Sequence, residues 1–285
     1  PIDTAKSQLQ VQSGVSGSAG APPPHRNFLQ AMANIWRVEG LGGLYRGFAV
    51  TAIGSGPATC LYLTSYETIK GAMNSSLPGS ESFPFAVNFA AGLGAEAFSC
   101  VLWVPIDVVK ERMQVQRVML GADAARSDTR SVMKAIFKEE GLVGLYRGYG
   151  ATLLSFGPFS ALYFLFYEEQ KELAHRALGT CAGVNELPVW AYLFSSCSAG
   201  AAASLVTSPL DMAKLRLQVQ RSSLGSGRVS FHYRNTFDAL GQIYAREGMR
   251  GLFQGAGARI AFHVPSTAIT MSLFEVFRNN LKRQE

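Results

Sequence analysis

The chain says the same thing three times. Pro1-Ile2-Asp3-Thr4-Ala5-Lys6 returns as Pro105-Ile106-Asp107-Val108-Val109-Lys110 and again as Pro209-Leu210-Asp211-Met212-Ala213-Lys214, both times after 104 residues. Each copy runs on into Gln-Val-Gln: Gln10-Val11-Gln12, Gln114-Val115-Gln116 and Gln218-Val219-Gln220. A second element follows: Glu39-Gly40 with Leu44-Tyr45-Arg46-Gly47, Glu140-Gly141 with Leu145-Tyr146-Arg147-Gly148, and Glu247-Gly248 with Leu252-Phe253-Gln254-Gly255. A third closes each unit at Tyr66-Glu67-Thr68-Ile69-Lys70, Tyr167-Glu168-Glu169-Gln170-Lys171 and Phe274-Glu275-Val276-Phe277-Arg278. One supersecondary unit built three times is the reading this order demands. The units take residues 1–78, 79–184 and 185–285.

What lies between the motifs fixes the solvent. Residues 47–66 and 148–167 are uncharged runs of 20, residues 187–210 a run of 24, and residues 260–274 a run of 15. Residues 82–106 carry one charge, Glu96. Charged residues make up 16% of the chain, well under the roughly 25% of a soluble domain, and a helix crossing hydrocarbon needs about 20 apolar residues. An all-α membrane protein is therefore expected. Each repeat would supply a transmembrane helix, a short amphipathic helix and a second transmembrane helix, and the three would close a pseudo-threefold six-helix bundle. The amphipathic pieces show helical spacing at Phe28, Met32, Ile35 and Trp36, at Val132, Ile136 and Phe137, and at Phe237, Leu240 and Ile243. The second and third repeats carry about 20 apolar residues before their Pro-x-Asp. The first begins at its proline, so helix 1 is expected to be truncated here.

A net charge of +6 could suggest nucleic acid. Its distribution points elsewhere: 19 of the 26 Lys and Arg fall in residues 6–46, 110–147 and 214–250, leaving the alternate loops poor in base. That is the positive-inside pattern of a membrane protein, with anionic lipid the natural partner. The four cysteines have no metal-ligand spacing and read as small packing residues. There is no Walker loop, HExxH or GxSxG, so no enzyme and no cofactor or metal is expected.

The three-part motif resembles the mitochondrial carrier family, the six-helix solute transporters of the mitochondrial inner membrane, over the whole chain. One position departs: Gln254 stands where the pattern has a base. Asp and Lys three apart share a helix face, so three odd helices around a threefold axis can pair Asp3 with Lys110, Asp107 with Lys214 and Asp211 with Lys6, plugging the matrix end. The even helices offer a second, cytoplasmic-side ring: Glu67 with Lys171, Glu168 with Arg278 and Glu275 with Lys70. The alternative for both sets is charged helix ends in solvent. The resemblance implies that Gln10, Gln114 and Gln218 brace the matrix ring and that Tyr66 and Tyr167 brace the outer one. It also implies contact with lipid, cardiolipin in particular, at Arg46, Gly47, Arg147, Gly148 and Gly255.

The same resemblance puts solute contacts seven and eight residues after each motif glycine, at Gly54 and Ser55, Ser155 and Phe156, Phe262 and His263. None is a cation, which disfavours a strongly anionic solute. Glu96 lies 11 residues before Asp107, and Cys100 seven before it, about three and two turns. All three should therefore share the cavity stripe, and an intramembrane carboxylate is a functional candidate by default. Gly54-Ser55-Gly56-Pro57 and Val264-Pro265-Ser266-Thr267-Ala268 look like the iron-transporting branch and its S-adenosylmethionine and branched-chain amino-acid relatives. The iron branch has Met where this chain has Val264. The expected function is alternating-access transport of a small cationic or zwitterionic metabolite or metal ion by a monomer. The competing reading is a carrier-fold subunit of a larger membrane complex.

Overall fold

The computed structural model describes residues 1–15, 28–76, 84–120, 128–178, 189–220 and 232–282. Ten helices are seen among them: α1 (Ile2–Val15), α2 (Phe28–Leu44), α3 (Phe48–Ser76), α4 (Pro84–Leu120), α5 (Thr129–Leu145), α6 (Tyr149–Leu178), α7 (Val189–Val206), α8 (Ser208–Val219), α9 (Thr236–Leu252) and α10 (Ala256–Lys282). They repeat as long odd helix, short helix, long even helix. The odd helix of the third repeat is divided at Thr207 into α7 and α8, with Pro209 in the first turn of α8. Its counterpart α4 continues through Pro105, as α3, α6 and α10 continue through Pro57, Pro158 and Pro265.

The stretches over Ala86–Gln116 and Tyr149–Arg176 are long and apolar enough to cross a membrane by their own composition. Helices α3 and α10, with 29 and 27 residues, reach about 40 Å at 1.5 Å per residue. Helix α3 lies along α4, α6 along α7, and α10 along α7, while α10 also meets α1. At one end α1, α4 and α8 converge, each touching the other two. The close approaches use small residues: Ala91, Ala95, Ala199 and Ala203 are fully buried on α4 and α7, which lets neighbouring backbones come near without a solvent-driven force.

Each short helix stops at a glycine. Gly40, Gly141 and Gly248 have φ of 67°, 64° and 66°, in the left-handed region that side chains avoid. Beyond this break a further turn leads into the even helix. Ile35, Val132, Ile136 and Ile243 are buried, as the spacing predicts. Trp36, Phe137 and Phe237 are instead 59%, 44% and 73% exposed. They flank the buried stripe rather than continue it. Cys60, Cys100 and Cys197 are free thiols; Cys181 lies outside the described residues.

Candidate functional site

The convergence of α1, α4 and α8 joins the three Asp-x-x-Lys motifs. Lys110 Nζ lies 2.6 Å from Asp3, Lys214 Nζ 3.0 Å from Asp107, and Lys6 Nζ 2.7 Å from Asp211. Every pair crosses from one repeat to another, and all six side chains are largely screened from solvent. Gln10 Nε2 donates to Asp211 at 3.4 Å, and Gln114 Nε2 to Asp3 at 3.4 Å. Gln218 departs from the expected pattern. Its Nε2 is buried without a hydrogen-bond partner, so it braces nothing here. Its backbone carbonyl is held by Arg112 Nε at 3.1 Å and its side chain lies against Gly148, contacts that Gln10 shares with Arg216 and Gly255, and nothing in the structure explains the difference. Two further charges join the ring. Glu111 lies 3.5 Å from Lys110, and Arg259 lies 3.8 Å from Asp211.

Beneath the ring is a second tier that sequence reasoning missed. Arg112 grips Glu140 with two bonds of 2.8 and 2.9 Å and also donates to the carbonyls of Gln218 and Gln220. Arg216 grips Glu247 the same way, at 2.5 and 2.8 Å. These bidentate pairs are the strong form of the interaction. The first repeat has Gln8 at the equivalent position, and there Arg46 holds Glu39 at 2.6 Å. Arg147 adds a 3.3 Å contact to Glu140. The signal was available: Arg112 and Arg216 each stand five residues after the motif Asp. The glutamates sit directly over Gly43, Gly144 and Gly251, where an added Cβ would come within 2.3, 2.5 and 2.4 Å of Glu39, Glu140 and Glu247.

The second-element residues expected at lipid also make contacts within the protein. Arg46 and Arg147 are engaged with carboxylates, and the glycines touch the next repeat. A Cβ at Gly47, Gly148 or Gly255 would lie 3.1 Å from Lys110, 2.9 Å from Gln218 or 2.7 Å from Gln10. Their positive φ of 81°, 85° and 84° adds a second reason for glycine. A groove of about 680 Å³ does open at one such junction, between Arg147 and Gly148 at the start of α6 and Arg234, Asn235 and Thr236 at the start of α9. Paired helix N-termini with two arginines form a surface able to hold an anion.

At the opposite end the even helices stand apart. The expected Glu67–Lys171 pair is not formed; Lys171 turns to Glu168 of its own helix at 3.5 Å. The side chains of Glu275 and Arg278 lie outside the described residues, and with them the pairs of Arg278 with Glu168 and of Glu275 with Lys70. Nor do the tyrosines brace carboxylates. Tyr66 donates to Asn88 at 3.1 Å, Tyr167 stacks on Tyr163, and Lys70 and Lys171 sit over the Tyr66 and Tyr167 rings.

Between the two ends lies the region of expected solute contacts, which the structure divides. Gly54 does not face the cavity: the Ile106 side chain occupies the space where its Cβ would be, 2.4 Å away. Ser55 bonds back to Ala52 of its own helix. Ser155 is buried at 7% exposure. Phe156 lines a cavity of about 300 Å³ among α3, α4 and α6. On α10, Phe262 is 40% exposed and packs edge-on to His263, which tilts onto Phe159 at 5.1 Å; Arg259 lies over the same Phe159 ring. Glu96 is half-buried and accepts a bond from Cys100 Sγ at 3.5 Å. Cys100 is fully buried with Val104 and Val108, so it holds Glu96 from behind rather than meeting solute. Among the described residues no group of three potential metal ligands comes together.

Sequence comparison agrees with this architecture. A family profile described as "Mitochondrial carrier protein" matches residues 1–77, 81–178 and 185–285. "Mitochondrial substrate carrier family protein E" of Dictyostelium discoideum is 33% identical over 279 residues, covering 96% of this chain and 88% of that protein. Human Mitoferrin-2 is 32% identical over 290 residues, covering 100% of this chain and 73% of the relative. The "Mitochondrial aspartate-glutamate transporter AGC1" of Saccharomyces cerevisiae (strain ATCC 204508 / S288c) is 29% identical over 293 residues, 100% of this chain but 31% of that protein.

Proposed function

The chain belongs to the mitochondrial carrier family, multi-pass solute transporters of the mitochondrial inner membrane, and we propose that it moves a small cationic or zwitterionic solute by alternating access. The reading is carried by one observation. Three inter-repeat ion pairs close the end formed by α1, α4 and α8, while Lys171 at the other end pairs within its own helix. By the distribution of base the closed end faces the matrix, which makes this the state open to the intermembrane space. Conversion to the opposite state breaks the three pairs and forms their outer counterparts. Partly shielded pairs suit that exchange, because desolvation cancels much of their Coulomb gain, and a solute that binds the intermediate best supplies the remainder.

Glu96 sets the sign of the solute. It is the carboxylate above the closed ring, and the positions around it bring no competing cation at Gly54, Ser55, Ser155 or Phe156. The groove between α6 and α9 is assigned to the phosphate of an anionic lipid. The test is uptake into proteoliposomes of a panel of small cations, wild type against Glu96→Gln. Loss of cation uptake with retained fold supports the reading; cation uptake indifferent to Glu96→Gln overturns it.

A further inference from the structure

Three helices each give one stripe to the 300 Å³ cavity. Helix α3 contributes Tyr62 and Tyr66, one turn apart and stacked within 12° of parallel. Helix α4 contributes Asn88, Phe89 and Gly92, and α6 contributes Phe156, Ser160 and Phe164, these last again spaced by four. Five rings therefore line a chamber whose polar groups are the Tyr62 and Tyr66 hydroxyls of α3, Asn88 of α4 and Ser160 of α6. Gly92 keeps it open: an added Cβ would lie in ordinary contact with the Tyr62 hydroxyl, 3.8 Å away, and anything longer would enter the space. Glu96 continues the Asn88–Gly92 stripe by one more turn, about 6 Å along the axis. Its carboxylate accepts a bond from Cys100 Sγ at 3.5 Å.

A metal ion, or an ammonium ion with a small aliphatic body, would leave most of such a chamber unfilled. Its volume falls at the low end of sites for small organic molecules, and aromatic faces favour flat partners and cations. Resting on the transport reading above, we propose that the solute is an organic cation with a flat aromatic or heteroaromatic body. The body lodges among Tyr62, Tyr66 and Phe156, and the charged nitrogen lies one turn deeper, on Glu96. The chamber would then set which cations are carried and Glu96 that they are cations.

The probes are 2-phenylethylammonium, ethylammonium, phenylacetate and Mn²⁺, tested by thermal shift on the purified full chain and by uptake into proteoliposomes. The variants are Gly92→Leu, Ser160→Leu and Glu96→Gln, each checked for an unchanged melting point without probe. The proposal expects 2-phenylethylammonium to bind at least tenfold more tightly than ethylammonium. Either leucine variant that keeps its melting point removes that preference, and Glu96→Gln removes binding of both amines. Equal binding of the two amines, or of Mn²⁺, lost in Glu96→Gln but untouched by both leucine variants, overturns the chamber and leaves the cation reading standing. Binding of phenylacetate in preference to either amine, unaffected by Glu96→Gln, overturns both.

Discussion

The three ring pairs are braced unequally, and that inequality makes a quantitative prediction. Gln10 and Gln114 each donate to a ring aspartate at 3.4 Å, while Gln218 makes no such bond. A hydrogen bond to a charged group contributes about 1.5–3 kcal/mol at good geometry. At 3.4 Å these two are longer than the usual charge-assisted bond, so about 1 kcal/mol each is the reasonable figure. Replacing either by Ala then shifts the population toward the matrix-open state roughly fivefold. The double variant shifts it roughly thirtyfold, because the two bonds act on separate pairs. Gln218→Ala leaves the equilibrium within about twofold while lowering the melting point, since it removes buried packing alone. A single cysteine at position 160, in an otherwise cysteine-free chain, reports the equilibrium. Its labelling by a membrane-impermeant maleimide, added on either side of oriented proteoliposomes, gives the two rates. Equal shifts for Gln218→Ala and Gln10→Ala would refute the reasoning.

Three further outcomes follow from particular contacts. Gly144→Ala places a Cβ 2.5 Å from Glu140 and lowers stability by about 1–3 kcal/mol; Gly241→Ala, with nothing within 4 Å, is neutral or stabilising, and thermal unfolding in detergent distinguishes them. Arg112→Ala strips a buried carboxylate of its bidentate partner and costs about 3 kcal/mol or more, whereas Arg147→Gln, removing the longer 3.3 Å contact, costs clearly less by the same measurement. Asp238 accepts the backbone N–H of Arg234 at 2.8 Å and a bond from Gln242, which hold its carboxyl below the usual carboxylate range. A depressed acid stabilises the fold above its unfolded value and loses that contribution as pH falls through its folded value. The melting points of wild type and Asp238→Asn should therefore differ at neutral pH and converge in acid.

The ring was legible because two periodicities meet in it: helical spacing puts Asp3 and Lys6 on one face, and the 104-residue repeat sets three such faces around an axis. Glu96 was legible as the one charge in residues 82–106. What sequence could not give was competition between neighbours. Gly54 sits at the expected contact distance from its motif glycine, yet Ile106 of α4 fills the space in front of it. Cys100 follows the stripe as far as Glu96 but is covered by a cluster that includes Tyr149 and Leu153 from α6. Gln218 carries the right residue at the right spacing and still makes no bond to the ring. Arg112 and Arg216 were hidden by the opposite effect, since Gln8 breaks their recurrence.

Arg112 has a mechanical consequence. Its guanidinium is anchored on α4, clasps Glu140 of α5 and reaches the carbonyls of Gln218 and Gln220 at the end of α8. The seam between α4 and α8 is thus stitched at two heights, by Lys214–Asp107 above and Arg112 below. Any parting of the second and third repeats that begins at the ring must turn about the lower stitch before it can slide past it. The seam opens as a hinged shutter opens, wide at the cavity and narrow at its pin. The α8–α1 seam has the same lower stitch in Arg216 on the Gln10 carbonyl. The α1–α4 seam has only the neutral bond of Gln8 to the Gln114 carbonyl, and that corner is where the first gap is favoured.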